Sequence, residues 1–227
     1  DVGVIVERNS RLSIINDLVL NHDTNKKVKP DLTKSLLNEL TDLVENPLLV
    51  TGSFDESFLD LPPEVLSTVM KVHQRYIPLY KVNVEFDPLS LDSRKILLPS
   101  FLCISNGLFS AKENIILGNE KVLKARFSDA SFFINSDLLI NSSSRINKLK
   151  DVTFAEGLGS LYERVNRIEW LTKLLTSKLR FVQEDIDKSV KVAHFSKHDL
   201  VSNMVDEFPE LQGIIGSKYL LHEGESR

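Results

Sequence analysis

Cysteine is almost absent from this sequence, which contains a single one, Cys103. One cysteine excludes an internal disulfide and any zinc site built from several thiolates. The residue lies in the apolar stretch "ILLPSFLCISNG" (96–107) with no obvious base beside it, which favours a buried structural thiol over a nucleophile. Such cysteine usage is typical of a reducing compartment, so we expect the protein in the cytoplasm.

Long apolar runs are also missing. None approaches the ~18 residues that a membrane span needs, and no signal peptide opens the chain, so we expect no membrane partner. With 227 residues, 42% apolar and 26% charged, the composition fits an ordinary soluble protein of one large domain or two small ones. The chain starts at the strand-like "VGVIV" without methionine and stops after "HEGESR", which predicts a fragment of a longer protein.

The motifs of nucleophilic and phosphate chemistry are absent as well. No Gly-x-Ser-x-Gly elbow occurs, and "GLGS" (157–160) lacks the Gly-x-x-x-x-Gly-Lys-Ser/Thr pattern of a phosphate-binding loop. A turn before a helix, with Ser160 near the N-cap, is the better interpretation. We predict no catalytic residue in this chain.

The first part of the chain mixes helix and strand patterns. Apolar residues at helical spacing predict helices over 9–21, 31–45 and 61–76, the last with Pro63 in its first turn. The stretch "PLLVTGSF" (47–54) predicts a buried strand. The apolar runs 76–82 and 95–106 predict two strands that pair across a polar loop.

Beyond residue 111 the strand patterns stop. Helical patterns cover 111–140, 157–180 and 183–207, with a shorter one after Pro209. Their apolar residues are expected in the core: Leu123, Phe127, Phe132 and Phe133, and later Trp170 with Leu171, Leu174 and Leu175. The sequence therefore predicts an α+β fold, with an α/β portion over 1–128 and an all-helical portion over 129–227.

Charge is unevenly distributed along the chain. Between Asn119 and Arg180 there are eleven Lys or Arg and seven Asp or Glu, so this window carries +4 in a chain of net charge −4. Such segregation can bring a polyanion to one face while the protein stays acidic overall. The stretch "GNEKVLKARFSDASFF" (118–133) opens the window with Lys121, Lys124 and Arg126 at short intervals. An ordinary solvated face is the alternative.

The pair His198-Asp199 in "HFSKHDL" is the dyad after which the His-Asp phosphohydrolases are named. In those enzymes such side chains hold a divalent metal that activates water. With His194 one helical turn earlier, the alternative metal site is His194, His198 and Asp199. The upstream His that such a site needs is missing, because no His lies between His73 and His194. We therefore predict hydrogen bonding at the surface or between helices, and no metal.

Five stretches, read in order, closely resemble one family. They are "LPPEVLSTVMKVHQRYIPLY" (61–80), "LLPSFLCISNG" (97–107), "IILGNEKVLKARFSDASFFINSD" (115–137), "KLKDVTFAEGLGSLYERVNRI" (148–168) and "KHDLVSNMVDEFPELQGIIGSKY" (197–219), followed by "HEGE". The family is the beta subunit of the bacterial heterotetrameric glycyl-tRNA synthetase, and the resemblance spans about residues 35–225. It implies a central fragment of that subunit.

The resemblance implies a division of labour within a glycine–tRNA ligase. The family's alpha subunit carries the class II active site and uses ATP and Mg²⁺, so no cofactor is expected in this fragment. The beta subunit binds and orients tRNA-Gly in an alpha2beta2 heterotetramer. Residues 1–128 would be part of a domain similar to the B3/B4 editing-type fold. Residues 129–227 would be a truncated helical domain similar to the His-Asp phosphohydrolases but catalytically degenerate. This sequence departs from the family at His198, where family members commonly carry Ala or Cys.

The positive charge of residues 119–180 and the family's role in holding tRNA together suggest that some basic residues of this chain contact phosphates. The candidates are Lys121, Lys124, Arg126, Arg164 and Arg167. Arg164 and Arg167 are three residues apart and share one helix face. The acids Glu163, Glu169 and Asp129 are positioned to pair with these bases and leave a neutral surface. Two further functions stay open: a metal-dependent His-Asp phosphohydrolase, and a scaffold that contacts only the alpha subunit.

Overall fold

The computed structural model describes residues 3–22, 28–106 and 108–226, and the chain folds as two compact units, residues 1–131 and 132–227. The helices of unit 1 are α1 (Arg8–Leu20), α2 (Lys34–Leu43), α3 (Pro63–Thr68) with a π-helical continuation over Val69–His73, and the first part of α4 (Lys112–Leu138). Its strands are β1 (Val28–Pro30), β2 (Leu48–Ser53), β3 (Ile77–Lys81) and β4 (Leu97–Ser105). They form an antiparallel sheet in the order β1-β3-β4-β2.

Strand β4 is buried on both faces of the sheet because its side chains alternate between two helical layers. Leu102 belongs to an apolar cluster with residues of α1 and α2 such as Ile15 and Leu36. Cys103 points to the other face, where its sulfur accepts a hydrogen bond from Asn119 Nδ2 of α4 at 3.4 Å. Burial raises the pKa of the Cys103 thiol to about 11, so the thiol stays protonated at neutral pH. The prediction of a buried structural thiol is confirmed.

Helix α4 is fixed on unit 1 by one apolar stripe. Leu123 and Phe127 are completely buried, and the Phe127 ring lies 5.0 Å from that of Phe54, edge to face. At the edge strand β2, Glu120 accepts hydrogen bonds from the backbone N–H and the hydroxyl of Ser53, at 2.8 and 2.9 Å. Together these contacts set the rotation of α4 about its own axis.

Unit 2 is mainly helical. After the end of α4 it contains α5 (Ser142–Lys148), a short hairpin of β5 (Thr153–Ala155) and β6 (Gly159–Ser160), and the helices α6 (Leu161–Lys178) and α7 (Gln183–Phe195). A 3-10 turn over His198–Val201 leads to α8 (Asn203–Glu207), and α9 (Ile214–His222) follows. Helices α6 and α7 pack against each other.

A buried carboxylate, Asp137, joins three elements of unit 2. Its oxygens accept hydrogen bonds from the backbone N–H groups of Asn203 and Met204, at 2.9 and 3.0 Å, and from the Tyr219 hydroxyl at 2.7 Å. The Arg145 guanidinium donates to the Asp137 carbonyl and lies 4.5 Å from the centre of the Tyr219 ring. Asp137 and Arg145 are each only 1% exposed, so the end of α4 is tied to α5, α8 and α9 inside the unit.

The α+β class is confirmed, and so are the helices predicted over 9–21 and 31–45, the strand predicted over 47–54 and the pairing of 76–82 with 95–106. The helical character of the second portion holds except for the β5–β6 hairpin. Gly157 and Gly159 there adopt φ values of +73° and +78°, which only glycine adopts readily, and this lets the chain reverse. The likeness to a B3/B4 fold and to the His-Asp phosphohydrolases stays a prediction.

Some predicted elements and core positions are wrong. The pattern over 183–207 is two helices, because Ser202 caps α8 by accepting from the Val205 N–H and so starts a new helix. In "VGVIV", Val2 lies outside the described residues and 3–6 form no strand. The side chains of Phe132, Trp170, Leu171, Leu174 and Leu175 are exposed rather than in the core, with Phe132 and Trp170 each 67% exposed. No described helix is long and apolar enough to cross a membrane.

We predict that Gly52→Ala destabilises unit 1 by about 1–3 kcal/mol, because it overpacks a filled core. A Cβ atom at Gly52 would lie 2.4 Å from Cζ of Phe101, whose ring is fully buried and stacked on Tyr76. The matched control is Gly118→Ala within α4, where an added Cβ meets no atom within 4 Å. That control should stabilise by about 0.5–1 kcal/mol. Urea unfolding followed by circular dichroism measures both, and equal midpoints for the two variants would contradict this packing.

We predict that Asp137→Ala destabilises the chain by at least about 2 kcal/mol, because it leaves several buried donors without an acceptor. Asp129→Ala is the control, since Asp129 lies on the same helix with an exposed side chain and should change stability by less than about 0.5 kcal/mol. Thermal unfolding of both variants tests this. A loss at Asp137 no larger than at Asp129 would show that the buried cluster does not hold unit 2 together.

Candidate nucleic-acid interface

Three of the five candidate phosphate contacts lie on α4 in unit 1. Lys121 and Lys124 are exposed and one turn apart, so they share a face of the helix, whereas Arg126 is half-buried. At about 100° per residue, Arg126 points roughly opposite to Lys124 around the helix axis. The structure therefore brings Lys121 and Lys124 together and places Arg126 apart from them.

The positive charge of Lys124 also acts on Asp55, which lies in a neighbouring loop. The pKa of the Asp55 carboxyl is lowered, chiefly by its hydrogen bonds from Ser57 and additionally by the positive charge of Lys124. Because Leu123 and Phe127 hold the inner side of α4, Lys121 and Lys124 are presented by a rigid backbone. Two lysines presented side by side in this way can contact successive phosphates of a nucleic acid.

The other two candidates lie on α6 in unit 2, and both contact the β5–β6 hairpin. The Arg164 guanidinium lies 4.2 Å from the centre of the Phe154 ring, a cation–π contact. Arg167 donates a hydrogen bond from Nη2 to the Leu158 carbonyl at 3.1 Å. The two arginines therefore help to hold the hairpin on α6, and Arg167 is the more exposed of the two.

The acids that the sequence places near these arginines have partners of their own. Glu163 forms a capping box with Ser160, whose N–H and hydroxyl donate to Glu163 Oε2 at 2.7 and 3.2 Å. These hydrogen bonds are the main cause of a lowered pKa for Glu163, to which the charge of Arg167 also contributes. Glu169 lies against His194, with 2.5 Å between its Oε1 and the ring Nδ1. Glu163 therefore lies near one candidate base, while Glu169 bonds to a residue of α7.

The three residues of the alternative metal site make separate contacts. His194 is bonded to Glu169, as described above, while His198 and Asp199 are each 1% exposed. His198 Nε2 lies 3.2 Å from the Gly216 carbonyl, and Asp199 Oδ2 accepts from the Gly213 and Gly216 N–H groups at 2.5 and 3.2 Å. Among the described residues, no group of three or more His, Cys, Asp or Glu is arranged to hold a metal ion.

His198 is thus a packing residue in this structure. Its Nε2–H donates to Gly216, so Nδ1 carries the lone pair, and this nitrogen is buried without a partner among the described residues. Burial, the largest cause, lowers the pKa of His198 below its ordinary value, and the nearby Arg145 charge lowers it further, although Asp199 opposes both. The neutral ring is therefore the form that the fold accommodates.

Sequence reasoning missed two features of this region. It counted Arg145 in the basic window, but the side chain is buried beneath Tyr219 and adds nothing to the surface charge. It also placed Trp170 in the core, whereas that side chain is exposed on α6 close in sequence to Arg167. The prediction of a turn at "GLGS" before a helix, with Ser160 near the N-cap, is confirmed, because Ser160 is the N-cap of α6 and forms a capping box with Glu163.

We predict that His198 makes the chain less stable as the pH falls. Below its ordinary pKa of 6.5, the unfolded chain takes up a proton at His198 that the folded chain does not, so stability is lost on acidification. His198→Gln should remove this part of the dependence, a difference of at most ~1.4 kcal/mol per pH unit. Urea unfolding at pH 5 to 8 measures it, with the exposed His222→Gln as the control. Parallel profiles for wild type and His198→Gln would contradict the prediction.

Comparison with known proteins places the chain in a family. The family model described as "Glycyl-tRNA synthetase beta subunit" matches residues 1–227. The glycine–tRNA ligase beta subunit of Trichodesmium erythraeum is 44% identical over 200 residues, which are 88% of this chain and 27% of the relative. The same-named protein of Streptococcus agalactiae is 40% identical over 222 residues, 98% of this chain and 31% of the relative.

A third relative, the glycine–tRNA ligase beta subunit of Listeria welshimeri, is 41% identical over 201 residues, 88% of this chain and 27% of the relative. The chain therefore spans less than a third of the length of these relatives. The match of the family model over the full sequence, together with these identities, shows that the chain belongs to the glycyl-tRNA synthetase beta-subunit family.

Proposed function

We propose that this chain is a tRNA-holding part of the beta subunit of a glycine–tRNA ligase. The observation that carries the proposal is the outward face of α4, where Lys121 and Lys124 are presented to solvent by a helix packed on its other side through Leu123 and Phe127. Family membership suggests that the nucleic acid is a tRNA, since the relatives are named as ligases of glycine and tRNA. In this proposal the chain binds tRNA-Gly, and it does so in the cytoplasm.

The chemistry of RNA recognition fits exposed cations on a rigid helix. Double-stranded RNA presents its phosphates and 2′-hydroxyl groups to a protein, while its narrow major groove hides the base edges. A protein that holds an RNA helix therefore depends mainly on lysines and arginines at suitable positions. It does not need a pocket that recognises individual bases. Lys121 and Lys124 meet this requirement, and Arg126, Arg164 and Arg167 extend it as further candidates.

The aminoacylation step itself is assigned to a separate alpha subunit, in an alpha2beta2 heterotetramer, with ATP and Mg²⁺ bound there. Two features of this chain's residues support that assignment. The Cys103 thiol is buried and protonated at neutral pH, so it is a poor nucleophile. His198 and Asp199 are buried and bonded to the backbone of 213–216, which leaves them away from any substrate.

The proposal predicts a change in the salt dependence of tRNA binding. In the full-length beta subunit, replacing both Lys121 and Lys124 by Ala should weaken binding of tRNA-Gly. It should also lower the slope of log affinity against log salt by ~0.7–0.9 for each lost phosphate contact. The slope is measured by titrating tRNA-Gly at several salt concentrations, with the alpha subunit present. Replacing Arg164 and Arg167 by Gln tests the α6 candidates in the same way.

The control removes the same charge elsewhere. Lys29→Ala combined with Lys188→Ala takes away two exposed cations outside α4 and α6, so it reproduces the change in net charge. If the control lowers the slope as much as the α4 variant, or if the α4 variant stays folded and keeps the wild-type slope, Lys121 and Lys124 are only solvated surface.

A further inference from the structure

Two side-chain nitrogen atoms inside unit 2 are buried without a hydrogen-bond partner among the described residues. They are Nη1 of Arg145 and Nδ1 of His198. Both side chains belong to residues that are only 1% exposed, so bulk solvent does not reach these nitrogens. An unpaired buried polar atom destabilises a fold, and a charged one does so more strongly. In native proteins such atoms are therefore generally bonded to an ordered water molecule or an ion.

The remaining polar atoms of the two side chains fix their orientation. The Arg145 guanidinium donates through Nη2 to the Asp137 carbonyl and lies 4.5 Å from the centre of the Tyr219 ring. His198 Nε2 donates to the Gly216 carbonyl at 3.2 Å. Neither side chain can rotate toward a new protein partner without breaking a bond that it already makes. The two nitrogens therefore need a partner where they stand.

Arg145 and His198 approach each other on one side of α9. Gly216 and Tyr219, which they contact, are three residues apart and so lie about one turn apart on the same face of that helix. Helix α5, which carries Arg145, also packs against the 3-10 turn that carries His198. Burial is the main cause of the lowered pKa of His198, and the nearby positive charge of Arg145 lowers that pKa further.

The two nitrogens have complementary requirements. Arginine is always protonated, so Nη1 can only donate. The neutral ring of His198 carries its proton on Nε2, because that nitrogen donates to a carbonyl, and so Nδ1 can only accept. A ligand that satisfies both nitrogens has to accept one hydrogen bond and donate another. Water does so, whereas a chloride ion can only accept and a metal cation is repelled by the guanidinium.

We propose that one buried water molecule is bound between Arg145 and His198, accepting a hydrogen bond from Nη1 and donating one to Nδ1. Buried waters typically make about three hydrogen bonds to polar groups that the protein leaves unsatisfied. This water links α5 to the 3-10 turn of His198–Val201, and it holds the ring of His198 in the neutral form. The site is independent of the proposed tRNA contacts, which lie on α4 and α6.

A crystal structure of the full-length beta subunit tests the site directly. We expect one peak of electron density at about 2.7–3.2 Å from both Arg145 Nη1 and His198 Nδ1, the usual length of a hydrogen bond. A direct hydrogen bond between the two side chains, separate waters on the two nitrogens, or no density between them would overturn the inference. An anomalous peak at this position after chloride is exchanged for bromide would overturn it too, because the ligand would then be an anion.

Two nearly isosteric substitutions in the full-length beta subunit separate the bound water from the packing of the ring. His198→Asn keeps a side-chain oxygen that can accept near the position of Nδ1, whereas His198→Leu has no acceptor. Oxygen-17 relaxation dispersion counts the long-lived internal waters in solution. Relative to wild type, we expect this count to fall by one in His198→Leu and to stay the same in His198→Asn.

The exposed His222→Gln is the control and should also leave the number of internal waters unchanged. An unchanged count in a folded His198→Leu variant would contradict the inference. An equal loss in His198→Asn would contradict it as well, since an acceptor would then not be what retains the water. Circular dichroism establishes that each variant is folded. If the variants do not fold, the wild-type crystal structure decides alone, because it requires no substitution.

Discussion

A helix that packs through one stripe of side chains leaves its remaining side chains facing solvent, and this constraint decides what each surface of the chain can do. On α4, Leu123 and Phe127 take the inward positions, and therefore Lys121 and Lys124 point outward. On α6, Val165 takes the inward position, and therefore Trp170 points outward. The helical period of 3.6 residues places apolar side chains in the core. The same period therefore sets the direction in which the candidate functional side chains point, and no loop is needed to position them.

The buried polar residues of unit 2 hold its elements together and do not form an active site among the described residues. Asp137, Arg145, His198 and Asp199 would suggest an active site by residue type alone, because buried ionisable groups are concentrated at such sites. Here their polar atoms bond mainly to the backbone and to Tyr219, and so they hold short helices that are too small to be stable alone. Arg145 Nη1 and His198 Nδ1 are buried without a hydrogen-bond partner among the described residues, but the hydrogen bonds that Asp137 and Asp199 accept specify one arrangement of the elements that they join.

The fold was largely predictable from local patterns, and the misses have physical causes. β2, β3 and β4 were identified because apolar and β-branched residues run together between turn residues. The break before α8 was missed because the cap depends on Ser202 alone within an apolar pattern that continues across it. Trp170 was misplaced because the apolar residues of "EWLTKLL" all fall on one side of the helix, and periodicity alone cannot say whether that side or the one carrying Leu161 and Val165 meets the core.

The predicted site residues divide in the same way. Lys121 and Lys124 needed only the helical period and the neighbouring core positions to be placed on an open face. Arg167 is different, because it also donates to the Leu158 carbonyl and so helps to hold the β5–β6 hairpin. Loss of its side chain would therefore affect the hairpin and a bound polyanion together. Arg167 alone cannot tell these two roles apart, whereas Lys124 can, because Leu123 and Phe127 provide the packing of its helix.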